Sequence, residues 1–359
     1  MALSSNPSSR RRQRDIVVIG ASAGGVTALV ELVKALPVDF PAPIFVVQHV
    51  AADSPSILPQ LLAAVSALPA KHAENGELAQ PGVIYVAPPN HHLLLEGKRV
   101  LVTRGPKENR FRPSIDALFR SAAYTYGPRV IGVVLTGYLD DGTSGLWSVQ
   151  RLGGLTIVQD PQEAQFPAMP ANALEAVAVD YIVSIASLGP LLTRLTAEPA
   201  PAKQLIAKTE LELLQLELTI AKRGNAFELG IIDHGQPTSF TCPDCHGALT
   251  QLVEGHIIRY RCHTGHAYSI NALLGEVTQS VESLLYQSMR GLEETKLLLQ
   301  QLGEHFKQNH QPTVAAVFFS KAELTGTQAR VIYDSIVEHE ALSGDLQFQA
   351  RGSASALVG

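Results

Sequence analysis

Six short runs of apolar, β-prone residues punctuate the first half of the chain: 15–20 (DIVVIG), 44–49 (IFVVQH), 83–87 (VIYVA), 129–135 (RVIGVVL), 155–159 (LTIVQ) and 179–184 (VDYIVS). They are apolar nearly throughout, not at alternate positions, which is the pattern of strands covered on both faces. Between most of them the apolar residues fall three and four apart, predicting helices over 26–36, 56–66, 114–126, 143–152 and 170–178. Strands alternating with helices predict an α/β fold, a doubly wound and mostly parallel sheet, over residues 15–198. Residues 92–103 (HLLLEGKRVLVT) break the pattern and predict a β-hairpin turning at Glu96-Gly97.

After residue 198 the pattern changes. A Pro/Ala linker (Ala197-Glu-Pro-Ala-Pro-Ala202) leads into a Leu-rich helix over 203–222, so 199–238 reads as linker and helix. A Cys/His-rich unit follows over 239–270, with the form of a small zinc ribbon. Residues 271–345 predict an α-helical hairpin, two long helices (271–308 and 312–342) with Pro312 at their junction. Leu274, Val277, Val281, Leu284, Leu292, Leu299, Leu302 and Phe306 mark the apolar stripe of the first helix, and Val317, Leu324, Val331, Ile332 and Ile336 that of the second. These stripes are expected to pack on each other. Residues 1–14 and 346–359 are expected to be disordered tails.

Composition adds limits. With 46% hydrophobic and 17% charged residues the chain is an ordinary globular sequence, and its net charge of -5 gives no reason to expect a nucleic-acid partner. No apolar run is long enough for membrane insertion. The Arg10–Arg14 cluster is not followed by an apolar stretch of signal-peptide type, so a cytoplasmic location is expected. Three clustered cysteines, Cys242, Cys245 and Cys262, fit a reducing compartment and a metal site better than a disulfide framework.

Candidate chemistry begins where the first strand ends. Gly20-Ala21-Ser22-Ala23-Gly24-Gly25 is a G-x-S-x-G turn between a strand and a helix, which exposes a serine hydroxyl beside free helix-start amides. The same string could cradle a phosphate, although it lacks both G-x-G-x-x-G spacing and a P-loop lysine. A hydrolytic reading needs a base and an acid at neighbouring strand ends. The next strand ends in His49, which alone could be a satisfied sheet-edge histidine. Another strand leads to Asp140-Asp141-Gly142, where either acid could simply cap the following helix. The order Ser, His, Asp differs from that of the α/β-hydrolases.

These residues sit in a longer set of strings. IGASAGG (19–25), VQH (47–49), YVAPPNHHL (85–93), RPSIDALF (112–119), VVLTGYLDDGTSG (133–145) and FPAMP (166–170) together resemble the catalytic domain of the CheB-type chemotaxis protein-glutamate methylesterases over residues 15–195. The resemblance implies that Ser22 is the nucleophile, His49 the base and Asp141 the orienting acid, with Asp140 its competitor. It implies hydrolysis of glutamyl methyl esters on chemoreceptors through an acyl-enzyme, and deamidation of certain glutamines by the same chemistry. It implies no catalytic cofactor. Asn90, Arg112, Pro113 and Ser114 match positions near the family's site. The chain departs from the family at Ala23, often Thr, and at Tyr138-Leu139, where the family's LTGMGxDG has Met-Gly. Leu139 is expected to restrict a loop whose backbone would contribute to the oxyanion hole. The family commonly carries a preceding receiver domain. Only fourteen residues precede the first strand here, so phosphorylation of a receiver in this chain is not expected to be its switch. The C-terminal helices are expected mainly to pack on each other, the lesser alternative being that their outer face docks a methyltransferase or sensor protein that governs access to Ser22. The alternative reading is an esterase-like signalling or scaffold module in a non-chemotaxis sensory pathway.

Cys242-Pro-Asp-Cys245, with Cys262 and His266 further on, has the spacing of a closed tetrahedral Cys₃His site, and structural zinc is expected there. His263, adjacent to Cys262, is the sterically poorer fourth ligand, and a redox C-x-x-C is the minor alternative. Metal removal is expected to unfold this unit and to spare the esterase.

Overall fold

Every residue of β1 (Ile16–Ala21) is buried, because helices cover both faces of its sheet. The computed structural model describes residues 13–53 and 55–356, with side chains to residue 339. After β1 come α1 (Gly25–Lys34), β2 (Ile44–Gln48), α2 (Leu58–Val65), β3 (Ala70–His72) and β4 (Ile84–Val86). The hairpin β5 (His92–Glu96) and β6 (Arg99–Thr103) leads to α3 (Ile115–Tyr126) and β7 (Val130–Val134). Then follow α4 (Thr143–Arg151), β8 (Leu155–Gln159), α5 (Ala168–Ala176), β9 (Tyr181–Val183) and α6 (Ile185–Thr196). The seven-stranded sheet has the order β3-β4-β2-β1-β7-β8-β9 and all its pairings are parallel. One apolar layer packs Leu29, Leu32, Leu62, Leu188 and Leu192 from α1, α2 and α6 against it. The other packs Leu118, Phe119, Leu146, Val149 and Met169 from α3, α4 and α5. This is the expected doubly wound arrangement. Strand β3 was not among the expected strands: Ala70-Lys71-His72 is a three-residue edge strand with no apolar pattern to mark it.

The chain then forms α7 (Lys208–Arg223) and an antiparallel sheet of β10 (Gln236–Thr241), β11 (Ala248–Glu254), β12 (Ile257–Cys262) and β13 (Ala267–Ser269), in that order. Two compact units result, one ending at Leu273 and one beginning at Leu274, so the Cys/His sheet belongs to the same unit as the parallel sheet. Charge joins the two. Arg259 and Arg261 of β12, Arg120 of α3, Glu108 of the segment before α3, and Glu217 of α7 are fully buried together, with Glu254 of β11 at the margin. Arg259 contacts Glu108 (3.2 Å), Glu217 (2.8 Å) and Glu254 (3.0 Å); Arg261 pairs with Glu108 (2.9 Å) and Glu217; Arg120 with Glu108 (3.1 Å). Ser144 of α4 donates to Glu254 at 2.7 Å. Three guanidiniums meet three carboxylates, so the charges within this cluster balance.

The second unit holds α8 (Ile270–Gln308) from Leu274 onward and α9 (Pro312–Ala356). The helices are antiparallel: Phe306 stacks on Phe318 at 5.2 Å, and His339 Nε2 lies 2.9 Å from the Thr278 carbonyl. Among the described residues the buried apolar positions of α9 are Ala315, Ala322, Ala329 and Ile336, spaced by seven, with Thr325 buried beside them. Small side chains let the axes approach closely. Of the expected stripe, Val317, Leu324 and Val331 therefore face outward, as do Val277, Val281 and Leu284 of α8. Helix α9 also continues through residues expected as a tail over 346–359, reaching Ala356, since no proline follows Pro312 to stop it. Residues 1–12 of the expected N-terminal tail and 357–359 lie outside the described residues. Among the described residues no helix is long and apolar enough to cross a membrane.

Candidate active site

Strand β1 delivers Ser22 one residue past its end. The turn is tied down by the Ser22 amide on Thr136 O (3.0 Å), the Gly25 amide on Ser22 O (2.9 Å) and Gln48 Nε2 on Ser22 O (2.7 Å). The glycines are there for space. A Cβ on Gly20 would lie 2.2 Å from Ile115 Cγ2, and one on Gly25 2.2 Å from Gln48 Oε1. The Ala23 and Gly24 amides, at the start of α1, take no acceptor among the described residues, so they are available to an oxyanion beside Ser22.

His49 follows β2 and Asp141 follows β7, the two strands flanking β1. All three groups thus meet at the carboxyl ends of adjacent strands, where the chain order reverses across the sheet. His49 Nδ1 lies 3.1 Å from Ser22 Oγ, and His49 Nε2 lies 2.8 Å from Asp141 Oδ2. With the carboxylate accepting from Nε2–H, Nδ1 is left to accept the serine proton. The His49 ring and the Asp141 carboxylate are both nearly inaccessible to solvent. Phe111 stacks on the imidazole.

Asp141 is held at the N-terminus of α3. Besides His49 it accepts from Asn109 Nδ2 (2.9 Å), Ser114 Oγ (3.0 Å), the Ile115 amide (2.8 Å) and the Asp116 amide (3.3 Å). Burial pushes its pKa up, but the hydrogen bonds from His49, Asn109 and Ile115 outweigh burial and hold it below the usual carboxylate range. The same Asn109 amide donates at 2.8 Å to Asp116, a carboxyl that burial and the nearby Asp141 charge push up to about 8. Asp140 points elsewhere. Its Oδ1 accepts from Ser269 Oγ at 2.6 Å, and burial pushes it up to about 6.

The loop between β7 and α4 takes a path the sequence argued against. Leu139 has φ 60°, the left-handed region usually left to glycine, and Asn172 Nδ2 holds its carbonyl at 2.8 Å. Leu139 therefore adopts a conformation open to glycine at the expense of strain. Tyr138, exposed, packs on Phe166 at 4.7 Å and makes an aromatic edge on this loop. Arg112, of no assigned role, is clamped by Asn90 Oδ1 (2.9 and 2.6 Å) and the Gly105 carbonyl (2.7 Å). Asn109, Phe111 and Asp116 escaped notice as site residues. Asp116 lies inside the RPSIDALF string, but no motif or periodicity marks Asn109, which depends on a left-handed turn at φ 49°.

The four expected metal ligands are together. Cys242 Sγ, Cys245 Sγ, Cys262 Sγ and a His266 ring nitrogen all lie within 4.8 Å of one another. Cys245–Cys262 measures 3.6 Å, and Cys242 and Cys262 are each 3.7 Å from His266 Nδ1. A tetrahedral zinc with bonds of about 2.3 Å to sulfur has edges of about 3.7 Å, so the set fits the ion. His263 is not in the cluster.

The CheB methylesterase family profile matches residues 17–192. A Leptospira interrogans protein provisionally named protein-glutamate methylesterase/protein-glutamine glutaminase is 42% identical over 182 residues, covering 50% of this chain and 94% of that protein. A Burkholderia lata protein-glutamate methylesterase/protein-glutamine glutaminase is 40% identical over 192 residues, 53% of this chain and 57% of its own length. The crystal structure of the Thermotoga maritima CheB methylesterase catalytic domain is 36% identical and covers 50% of this chain and 98% of that chain, with a TM-score of 0.49.

Proposed function

The chain belongs to the CheB methylesterase family, and from that premise we propose that it hydrolyses glutamyl methyl esters on a chemoreceptor or related sensory protein, with Ser22, His49 and Asp141 as its triad. The observation that carries this reading is the placement of His49 between Ser22 Oγ at 3.1 Å and Asp141 Oδ2 at 2.8 Å. His49 Nδ1 takes the Ser22 proton as Oγ attacks the ester carbonyl. The tetrahedral oxyanion turns to the Ala23 and Gly24 amides. The imidazolium, paired with Asp141, protonates the methoxide, and methanol leaves an acyl-Ser22. Water, deprotonated by the same nitrogen, attacks that acyl group and releases the glutamate carboxylate. A glutamine side chain would follow the same course with ammonia leaving. Cys242, Cys245, Cys262 and His266 would hold a structural zinc with all four positions filled by protein, leaving none for substrate. The three unpaired cysteines fit a reducing cytoplasm.

Methanol release from a methylated receptor fragment, measured alongside labelling by a fluorophosphonate serine probe, tests the assignment. Ser22→Ala should abolish both and leave thermal stability nearly unchanged. Methanol release that survives in Ser22→Ala would remove the nucleophile.

A further inference from the structure

We propose that the Cys/His unit is a positioning element for this active site: with zinc bound it fixes β13, and β13 holds the Asp140–Asp141 loop through Asn109 and Ser269. The proposal rests on the functional reading above and adds to it a second, remote requirement for activity. The connection is short. Strand β13 begins at Ala267, the residue after the ligand His266. Segment 107–109 lies along it: the Ala267 amide donates to Lys107 O (3.1 Å), and the Asn109 amide to Ala267 O (2.8 Å). The Ser269 amide then donates to Asn109 Oδ1 (2.8 Å), which orients that carboxamide. Its Nδ2 is thereby aimed at Asp141 Oδ1 (2.9 Å) and Asp116 Oδ2 (2.8 Å). One residue earlier, Asp140 receives the Ser269 hydroxyl at 2.6 Å.

The unit is also anchored where it must be to act in this way. Between Asn109 and Lys107, the Glu108 carboxylate is buried against Arg259 and Arg261 of β12. Lys107 itself pairs with Asp244, between the ligands Cys242 and Cys245, at 3.2 Å. Tyr268 of β13 donates to the same Asp244 and lies 3.6 Å from Cys242 Sγ. β13 pairs with β12 along only three residues, and the turn leading into it is closed by the Cys262 amide on His266 O (3.0 Å); a metal held by Cys262 and His266 would clamp that same turn and so stiffen the strand. Asn109 and Ser269 touch no reacting atom. They are positioning residues that act through Asp141, and Asp141 acts through His49. On this proposal metal removal would impair the esterase, whereas the cysteine spacing alone led to the expectation that it would be spared.

The test uses the full chain, loaded with one equivalent of zinc and then stripped with a chelator, with zinc content verified at each stage. Hydrogen exchange and fluorophosphonate labelling of Ser22 are read together. Stripping should speed exchange over 107–116 and 137–145, leave β1 and β2 protected, and slow labelling at least tenfold, with recovery on adding zinc back. Asn109→Ala, still carrying zinc, should lower kcat about tenfold to a hundredfold with KM little changed, the size expected for a misplaced catalytic group. Ser269→Ala should do the same more mildly, and Ser269→Thr, which keeps the hydroxyl, should restore the rate. Unchanged exchange over 137–145 in verified zinc-free protein would overturn the proposal, as would full activity of Asn109→Ala or failure of the chain to take up zinc. If zinc-loaded wild type is never labelled at Ser22, the catalytic reading fails instead, and exchange alone still decides the coupling.

Discussion

Phe111 lies flat on His49, with ring centroids 3.6 Å apart and planes at 11°. The contact fixes the imidazole plane between Ser22 and Asp141 and keeps water off one face of it. Phe111→Leu keeps the apolar cover but loses the flat surface. It should reduce kcat on the order of tenfold with little change in KM. A variant with wild-type kcat would reduce Phe111 to ordinary packing.

Asp141→Asn places an amide where four N–H or O–H groups besides His49 need an acceptor. The imidazole tautomer should invert and the rate fall by about 10⁴, with a stability loss of about 1–3 kcal/mol from mispaired donors. Asp140→Asn can still accept from Ser269 and should cost less than about tenfold. Steady-state methanol release ranks the two, and the reverse ranking would give the acid role to Asp140.

Gly137 has no room for a side chain: a Cβ would lie 2.1 Å from Met169 Sδ and 2.8 Å from Ser22 Cβ. Its backbone cannot retreat, being bonded to Phe166 O and the Met169 amide. Gly137→Ala should destabilise by about 1–3 kcal/mol and displace the nucleophile. Adding Met169→Ala should recover stability in part without recovering fluorophosphonate labelling. Recovery of both would show that only the thioether was in the way.

Glu217 is buried, which alone would raise its pKa, but Arg261, Arg259 and Arg120 outweigh burial and bring it down to about 2. A carboxyl depressed in the folded state binds fewer protons there than in the unfolded chain. Its contribution is complete above the unfolded value near 4.5 and is lost as pH falls toward 2. Glu217→Gln should cost about 3–5 kcal/mol at pH 7 by stranding buried guanidiniums. In urea titrations the gap between wild type and variant should narrow from pH 4.5 downward. A pH-independent gap would mean that the charge of Glu217 is not what it contributes.

Much of this was legible in the residues because the signals were local. Continuous apolar strands marked six of the seven members of the parallel sheet, and Ser22, His49 and the Asp140-Asp141 pair could be located after strands directly, while the choice of Asp141 over Asp140 rested on the family resemblance. Cysteine spacing was equally direct. The outward face of α9 was not legible, because large residues at helical spacing draw attention while the seam is made by Ala315, Ala322 and Ala329. Nor was Asn109, whose importance comes from pairing with residues 141 and 269, far from it in sequence. The buried arginines were hidden for a related reason: charged residues read as surface until six of them are found to neutralise one another.

The pinning of residues 107–109 by 267–269 also sets an order in time. A chain being synthesised has Ser22, His49 and Asp141 in hand once the parallel sheet is complete near residue 198. The strand that orients Asn109 is still about 70 residues away, on the order of 4–14 s at ordinary elongation rates. During that interval the sheet can close around β1 while Asp141 lacks its last support. If β13 positions the site as proposed, maturation has two stages, folding first and competence only after the ribbon has emerged and bound a metal.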